Sequence, residues 1–231
     1  CDKEDTSSLL RDLGLPVPTQ IIVHSVRAAV RAARKIGLPV VTKPLDGNHG
    51  RGVSINLTDE EQVAEGFETA LASAKGRSVV LESYLSGLDH RMLAVNNKLV
   101  AVAKREPGHV IGDGKLTIEE LVEVVNQDPR RGIGHEKVLT RLDIDKQADE
   151  LMSKAAYDKD TILKDGEKFY LRATANLSTG GTATDVTDIV HPDNRDMAER
   201  AIKAVGLDIG GVDFVTDDIS RSYKEIGGGI V

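Results

Sequence analysis

The sequence predicts an α+β fold in which mixed and antiparallel strands are flanked by helices. Three observations point there. Segments of helical and of strand period follow one another without a regular βαβ alternation, the dipeptides Asn96-Asn97 and Asp165-Gly166 mark tight hairpins, and 40% hydrophobic residues in a 231-residue chain suffice for a globular core.

Taken in order, the first element is a short helix from Asp2 or Thr6 to about Leu13, stopped by Gly14 and then by Pro16 and Pro18. A strand follows at Ile21 to His24. Ser25 can cap a helix whose apolar stripe is Val26, Ala29, Val30 and Ala33, set against Arg27, Arg31 and Arg34 and ending at Gly37. The strand Leu38 to Thr42 then delivers Lys43 to a loop with glycines at 47, 50 and 52, and Val53 to Leu57 reads as the returning strand of a hairpin. Thr58 and Glu61 suggest a capping box before a helix bearing Val63, Phe67, Ala70, Leu71 and Ala74. Ser78 to Glu82 reads as a buried strand, and Arg91 to Val95 pairs with Leu99 to Ala103 across Asn96-Asn97. Thr117 to Val125 is helical, with Thr117 and Glu120 at its start; from Asn126 to Asp160 no period dominates. A hairpin at Asp165-Gly166 should carry Phe169 to Arg172. A helix from Asp193 to Val205 and strands at Gly211 to Thr216 and Lys224 to Val231 complete the chain.

Composition narrows the function. The formal net charge is -7, aromatic residues make up 3% and tryptophan is absent, so neither a phosphate-backbone binder nor a base-stacking surface is expected. No nucleic acid partner is expected. The sole cysteine, Cys1, rules out an internal disulfide framework and a cysteine zinc site, and fits a reducing, cytoplasmic setting. No apolar run approaches the roughly 20 residues that span a bilayer, so no membrane partner is expected. Cys1-Asp2-Lys3-Glu4-Asp5 is unlike a signal peptide, and the start without methionine suggests a segment excised from a longer chain.

Two stretches suit anions. Arg172-Ala173-Thr174-Ala175-Asn176-Leu177-Ser178-Thr179-Gly180-Gly181-Thr182 joins a fixed cation to small hydroxyl residues and a glycine pair, a composition that suits an oxyanion nest. Lys43 to Gly52 sets a lysine before a glycine-rich loop, the reverse of the Walker-A order, which fits a strand lysine under a mobile hairpin covering phosphates and equally fits an ordinary surface turn. Within that loop His49 can meet phosphate or simply face solvent; none of the six histidines recurs at i,i+4 metal spacing. Glu82-Ser83-Tyr84-Leu85 closes a strand and can offer its backbone to an adenine ring, with Asp89 within reach of ribose, or can be a plain strand end. Asp213 interrupts the apolar run Gly210 to Val215, so it is a magnesium-ligand candidate or an edge-strand carboxylate facing water. Ser178 has no histidine and acid partners for a hydrolase triad.

Together these residues resemble the ATP-grasp domain of the cyanophycin synthetases. The likeness is carried by Cys1-Asp2-Lys3, Lys43-Pro44-Leu45-Asp46-Gly47-Asn48, Gly87-Leu88-Asp89-His90-Arg91 and Ala175 to Asp188, and it spans essentially the whole chain. The resemblance implies an ATP-grasp fold with a smaller nucleotide-covering subdomain at about 20–85 and a larger catalytic one at about 86–231. It further implies ATP and Mg2+ as cofactors, and L-aspartate and a cyanophycin or polyaspartate primer as partners. ATP would phosphorylate the primer's C-terminal carboxylate, and the amine of aspartate would then attack the acyl phosphate. On this resemblance Lys3 and Lys43 contact phosphates, while Gly47, Asn48, His49, Gly50 and Gly52 form the covering loop. Glu82, Ser83, Tyr84 and Leu85 form the adenine hinge, Asp89 faces ribose and Arg172 stabilises the transferring phosphoryl group. Asn176, Ser178, Gly180 and Gly181 hold the acceptor carboxylate, and Asp213 holds magnesium. It also implies a longer, homo-oligomeric enzyme with a C-terminal Mur-ligase-like module. The family pattern continues after Gly-Gly-x-Ile-Val with a Glu-x-Asn metal segment, whereas this chain stops at Val231. Another ATP-grasp amide ligase, such as a glutathione- or dipeptide-forming one, and a non-catalytic nucleotide- or polymer-binding module are the alternatives.

Overall fold

The computed structural model describes residues 3–46, 52–76, 78–134 and 136–231, with side chains from Thr6 onward. Helix α1 (Lys3–Asp12) ends where expected, and Leu10 enters a core shared with a helix near the other end of the chain. Strand β1 (Gln20–Val23) leads into α2 (Val26–Ile36). The Ser25 hydroxyl caps α2 by accepting from the Ala28 N–H, and the small residues Ala29, Ala32 and Ala33 let the helix settle closely on its sheet.

Strand β2 (Val40–Pro44) starts later and runs further than the sequence suggests, so Lys43 lies within the strand, and β3 (Ser54–Leu57) returns antiparallel to it. The cap of α3 (Glu60–Ser73) is Asp59 and not Thr58: the Asp59 carboxylate, a strong acceptor, takes the Gln62 N–H at 2.8 Å, while Thr58 donates to the Gln62 side chain from outside the helix. Strand β4 (Val79–Ser83) inserts centrally, giving the antiparallel order β1-β4-β2-β3. Val63 and Phe67 of α3 pack with Val79 and Leu81, and full burial of Phe67 alone stabilises by about 2 kcal/mol.

Strands β5 (Leu88–Val95) and β6 (Lys98–Glu106) form the expected hairpin, with Asn96 and Asn97 at φ 48° and 62°. The chain then leaves this sheet and builds a third core from β7 (His109–Ile111), α4 (Ile118–Asn126), the short parallel pair β8 (Arg131–Gly132) and β9 (Leu139–Thr140), α5 (Lys146–Lys154) and β10 (Lys168–Tyr170). Thr117 and Glu120 make a complete capping box on α4. The stretch 126–160, where no period dominates, holds the two-residue strands and α5, of which only Ala148 and Met152 are buried. The turn at Asp165-Gly166 forms, but not as a hairpin. The residues before it run into the core at Leu163, so β10 pairs instead with distant β7.

The chain returns through β11 (Thr182–Asp185), α6 (Pro192–Val205), β12 (Ile209–Thr216), α7 (Tyr223–Ile226) and β13 (Gly229–Ile230). Lys224 to Val231 is therefore not one strand: Ser222 caps a helical turn, and Gly227 and Gly228, at φ 84° and 137°, break it before β13. The second sheet has the order β11-β6-β5-β12-β13. Alternation along its strands turns Met92, Ala94, Val102, Val212 and Phe214 into the core under α1 and α6, and places Asp89, Arg91, Arg105 and Asp213 on the opposite face.

Candidate active site

The end of β4 and the neighbouring β2 and β3 line a cleft of about 280 Å3 that includes Lys43, Glu82, Ser83, Tyr84, Leu85 and Val231. Its centre is charged. Glu82 is only 8% exposed and accepts from Lys43 Nζ at 2.7 Å and from Gln20 Nε2 at 2.8 Å, so a costly buried carboxylate is paired and hydrogen-bonded. Among the described residues one of the three Lys43 N–H donors is taken, which leaves two for a ligand. Along the hinge the Ser83 and Tyr84 amides donate to the Thr19 and Pro39 carbonyls, whereas the Leu85 amide has no partner among the described residues. Leu85 thus offers the free backbone donor that a planar nitrogen ring needs. Lys3 opens α1, its side chain lying outside the described residues. Gly47, Asn48, His49 and Gly50 also lie outside them; Gly52 precedes β3 with φ 69°.

On the open face of the second sheet, Asp89 and Asp213 meet two arginines. Arg105 donates to Asp89 Oδ1 at 2.6 Å and to Asp213 Oδ1 at 2.9 Å, and Arg91 Nη1 donates to both Asp213 oxygens at 2.9 Å. Burial works against the Arg105 charge, but the two aspartates outweigh it and raise its pKa above the ordinary value. Asp89 is consequently bound to Arg105 and does not line the hinge cleft. Asp213 is neither buried alone nor free for a metal, and among the described residues no three His, Cys, Asp or Glu side chains gather into a metal site. By themselves these residues do not fit a magnesium ion.

The two arginines carry the signal the sequence reading missed. Asp89 and Arg91 are two apart on one strand face, and the register sets Arg91 opposite Asp213 and Asp89 opposite Arg105. Gly211 makes room: a Cβ there would collide with the Arg91 guanidinium. Gly211→Ala is therefore expected to swing Arg91 off Asp213 at a stability cost below about 1 kcal/mol, since the pair is partly exposed. Ligand-dependent turnover should fall while the melting temperature holds; unchanged turnover would show that Arg91 has no part in the site.

The third group is the stretch 172–182. Here the fold departs from the expected nest. The amides of Gly180 and Gly181 donate to the Leu177 and Asn176 carbonyls and so close a turn around the 3-10 segment Leu177–Thr179, rather than facing a ligand. The exposed Ser178 hydroxyl has no hydrogen-bond partner among the described residues, and the Asn176 amide donates to Thr174 Oγ1 at 3.2 Å. Arg172, 5% exposed, donates to the carbonyls of Leu171, Asp143 and Thr179 and to Asp145 at 2.9 to 3.0 Å. With four of its five donors engaged, Arg172 ties this turn to residues 143–145 instead of presenting a free cation. Arg131 reinforces the turn through Nη1, which donates to the carbonyls of Gly180 at 3.0 Å and Thr140 at 2.7 Å. Glu106, beside the turn, is disfavoured as an anion by burial, but hydrogen bonds from Lys168 and Tyr170 outweigh that and hold its pKa below the usual value.

One sheet joins the three groups. The turn runs into β11, whose Ala183 lies opposite Arg105; β6, β5 and β12 carry the charged quartet; and Val231, just past β13, reaches the hinge cleft.

Comparison with known proteins places this geometry. The model of the ATP-grasp domain matches residues 1–88. The cyanophycin synthetase of Crocosphaera subtropica is 49% identical over all of this chain, which spans 27% of that relative's length. The crystal structure of a bifunctional glutathione synthetase from Pasteurella multocida superposes with a TM-score of 0.67 at 28% identity, covering 99% of this chain and 31% of that one. The ATP-grasp ligase PsnB, solved with its minimal precursor, magnesium and ADP, gives a TM-score of 0.53 at 15% identity over 100% of this chain and 48% of that one, a likeness of fold alone. The chain therefore has the ATP-grasp fold and is similar along its whole length to one segment of the cyanophycin synthetases.

Proposed function

We propose that this chain is the ligase module of an enzyme that joins the amine of L-aspartate to the C-terminal carboxylate of a polyaspartate primer at the expense of ATP. The observation that carries this reading is the continuous sheet between a cleft holding Lys43 and a turn bearing the Ser178 hydroxyl, which has no partner among the described residues. Residues 20–85 cover the nucleotide, and residues 86–231 supply the floor and the acceptor turn.

In this reaction the acceptor carboxylate attacks the terminal phosphorus of ATP, the bond to the bridging oxygen breaks and ADP leaves. The amine of aspartate then attacks the acyl carbon, loses a proton and expels phosphate. The protein's share is position and charge. The adenine ring docks on the Leu85 amide, and Lys43 neutralises phosphate with the donors that Glu82 leaves open. The quartet on the sheet floor brings two guanidinium groups between nucleotide and acceptor. Ser178 and Asn176 meet the acceptor end.

Lys43→Ala is expected to weaken ATP binding by about tenfold or more, the loss of a charge-assisted contact, as read by calorimetry. Unaltered affinity would remove Lys43 from the phosphates. The reaction itself is tested by placing this chain in register of the matching segment of a cyanophycin synthetase and measuring ADP release while ATP, magnesium, aspartate and primer are omitted in turn. Release that needs primer and aspartate supports backbone elongation. Release with a glutathione-type acceptor instead would assign a different amide ligase, and ATP binding without turnover would make the chain a binding module.

A further inference from the structure

Among the arginines of the third core, Arg131 has a distinctive environment. Arg130 is paired with Asp128 at 2.7 Å, Arg172 with Asp145 at 3.0 Å and Arg141, more loosely, with Glu123 at 3.7 Å. Arg131 is half-buried, yet has no carboxylate within ion-pair distance among the described residues. Its Nη1 uses both hydrogens on the carbonyls of Thr140 and Gly180. That fixes the guanidinium plane against the acceptor turn and leaves Nε and Nη2 without partners among the described residues. Nε–H and Nη2–H form the side edge of a guanidinium, two parallel donors spaced to match the two oxygens of a carboxylate. Neither atom is sealed in the interior, since the buried polar side-chain atoms without partners among the described residues are Thr42 Oγ1 and His90 Nδ1.

The glycine amides of the adjacent turn cannot serve an anion, because they close the turn. We propose that the Nε and Nη2 edge of Arg131 is a second carboxylate subsite, which receives a side-chain carboxylate of the acceptor chain upstream of its reacting end. This rests on the reading that the turn 176–181 meets the acceptor. Burial lowers the Arg131 pKa, with Asp128 and Arg130 acting in opposite senses, so the charge is poorly hydrated and gains from an arriving anion. A carboxylate suits one arginine with one open edge; a triphosphate calls for the cations of the hinge cleft.

The test uses the full 231-residue chain, short L-aspartate oligopeptides of increasing length, and the same peptides with one upstream aspartate changed to asparagine. Wild-type protein should bind the longer peptides about tenfold more tightly than their asparagine forms. In Arg131→Gln that difference should vanish, with Arg131→Lys intermediate and ATP affinity unchanged in both. Such a cycle isolates the pair even if a variant is somewhat less stable, because the asparagine peptides probe the wild-type protein directly. Equal weakening of short and long peptides would reduce Arg131 to a prop for Gly180 and overturn the subsite, and loss of ATP affinity would make it a phosphate contact. Tight wild-type binding with no peptide-length or asparagine effect would overturn the subsite alone. Absence of acidic-peptide binding by a wild-type chain that still binds ATP would overturn the acceptor reading together with it.

Discussion

Arg172→Ala should unfold the acceptor turn and lower turnover by about 100-fold, through geometry rather than through loss of a charge at the reacting phosphorus. The side chain is 5% exposed and holds three carbonyl oxygens and the Asp145 carboxylate. Removing it strands those acceptors and opens a cavity, a loss of roughly 3 kcal/mol. For a chain of this size that lowers the melting temperature by about 6 to 12 °C. The rate effect follows because a displacement of about 1 Å at a reacting group costs about two orders of magnitude. Scanning calorimetry and ADP release on the same preparation separate the two accounts. A lowered rate with an unmoved melting temperature would return Arg172 to direct contact with the phosphoryl group, the role its sequence setting suggests.

Gly181→Ala should be nearly as damaging. A Cβ at this position would sit 2.7 Å from the Asn176 carbonyl oxygen and 2.8 Å from that of Glu106, both of them backbone atoms with nowhere to retreat. Either the turn opens or β11 parts from β6, at roughly 2 to 3 kcal/mol. Ser178 would then lose its station, and primer-dependent turnover should fall by about 100-fold while ATP affinity at the remote hinge stays intact. Normal turnover in this variant would mean that the turn does not hold the acceptor.

The parts of this molecule that were legible in the sequence are those governed by neighbours along the chain. Ser25 and Thr117 announce helix starts because a cap acts within three residues, and Asn96-Asn97 announces a hairpin because positive φ is a local demand. The contact between Lys43 and Glu82 is within reach for a related reason, since it follows once the two strands are paired. What escaped was set by register across the sheet. Nothing near Asp213 in the sequence foretells that Arg91 and Arg105 will take both its oxygens, and a carboxylate amid apolar residues reads as a metal ligand until β5 and β6 are laid beside it. Small residues around Arg172 mark it out in the sequence, but its partners from 143–145 come from a stretch too irregular to assign. The glycine pair resembles an anion nest in composition, which does not say where an amide points.

The register of β6 and β11 sets Thr182 directly opposite Glu106. Everything from residue 107 to 181, with its own hydrophobic core, therefore leaves and re-enters the sheet at two adjacent backbone positions. A lobe attached in this way can be lengthened, trimmed or exchanged without rethreading a single strand. On the proposed function, the nucleotide cleft on β2 and β4 and the sheet floor stay outside the exchange, whereas the turn 176–181 and Arg131 travel with the lobe. On that reading inheritance can treat what is activated and how it is activated as separate traits, and grafting this lobe between ATP-grasp relatives is expected to change the acceptor.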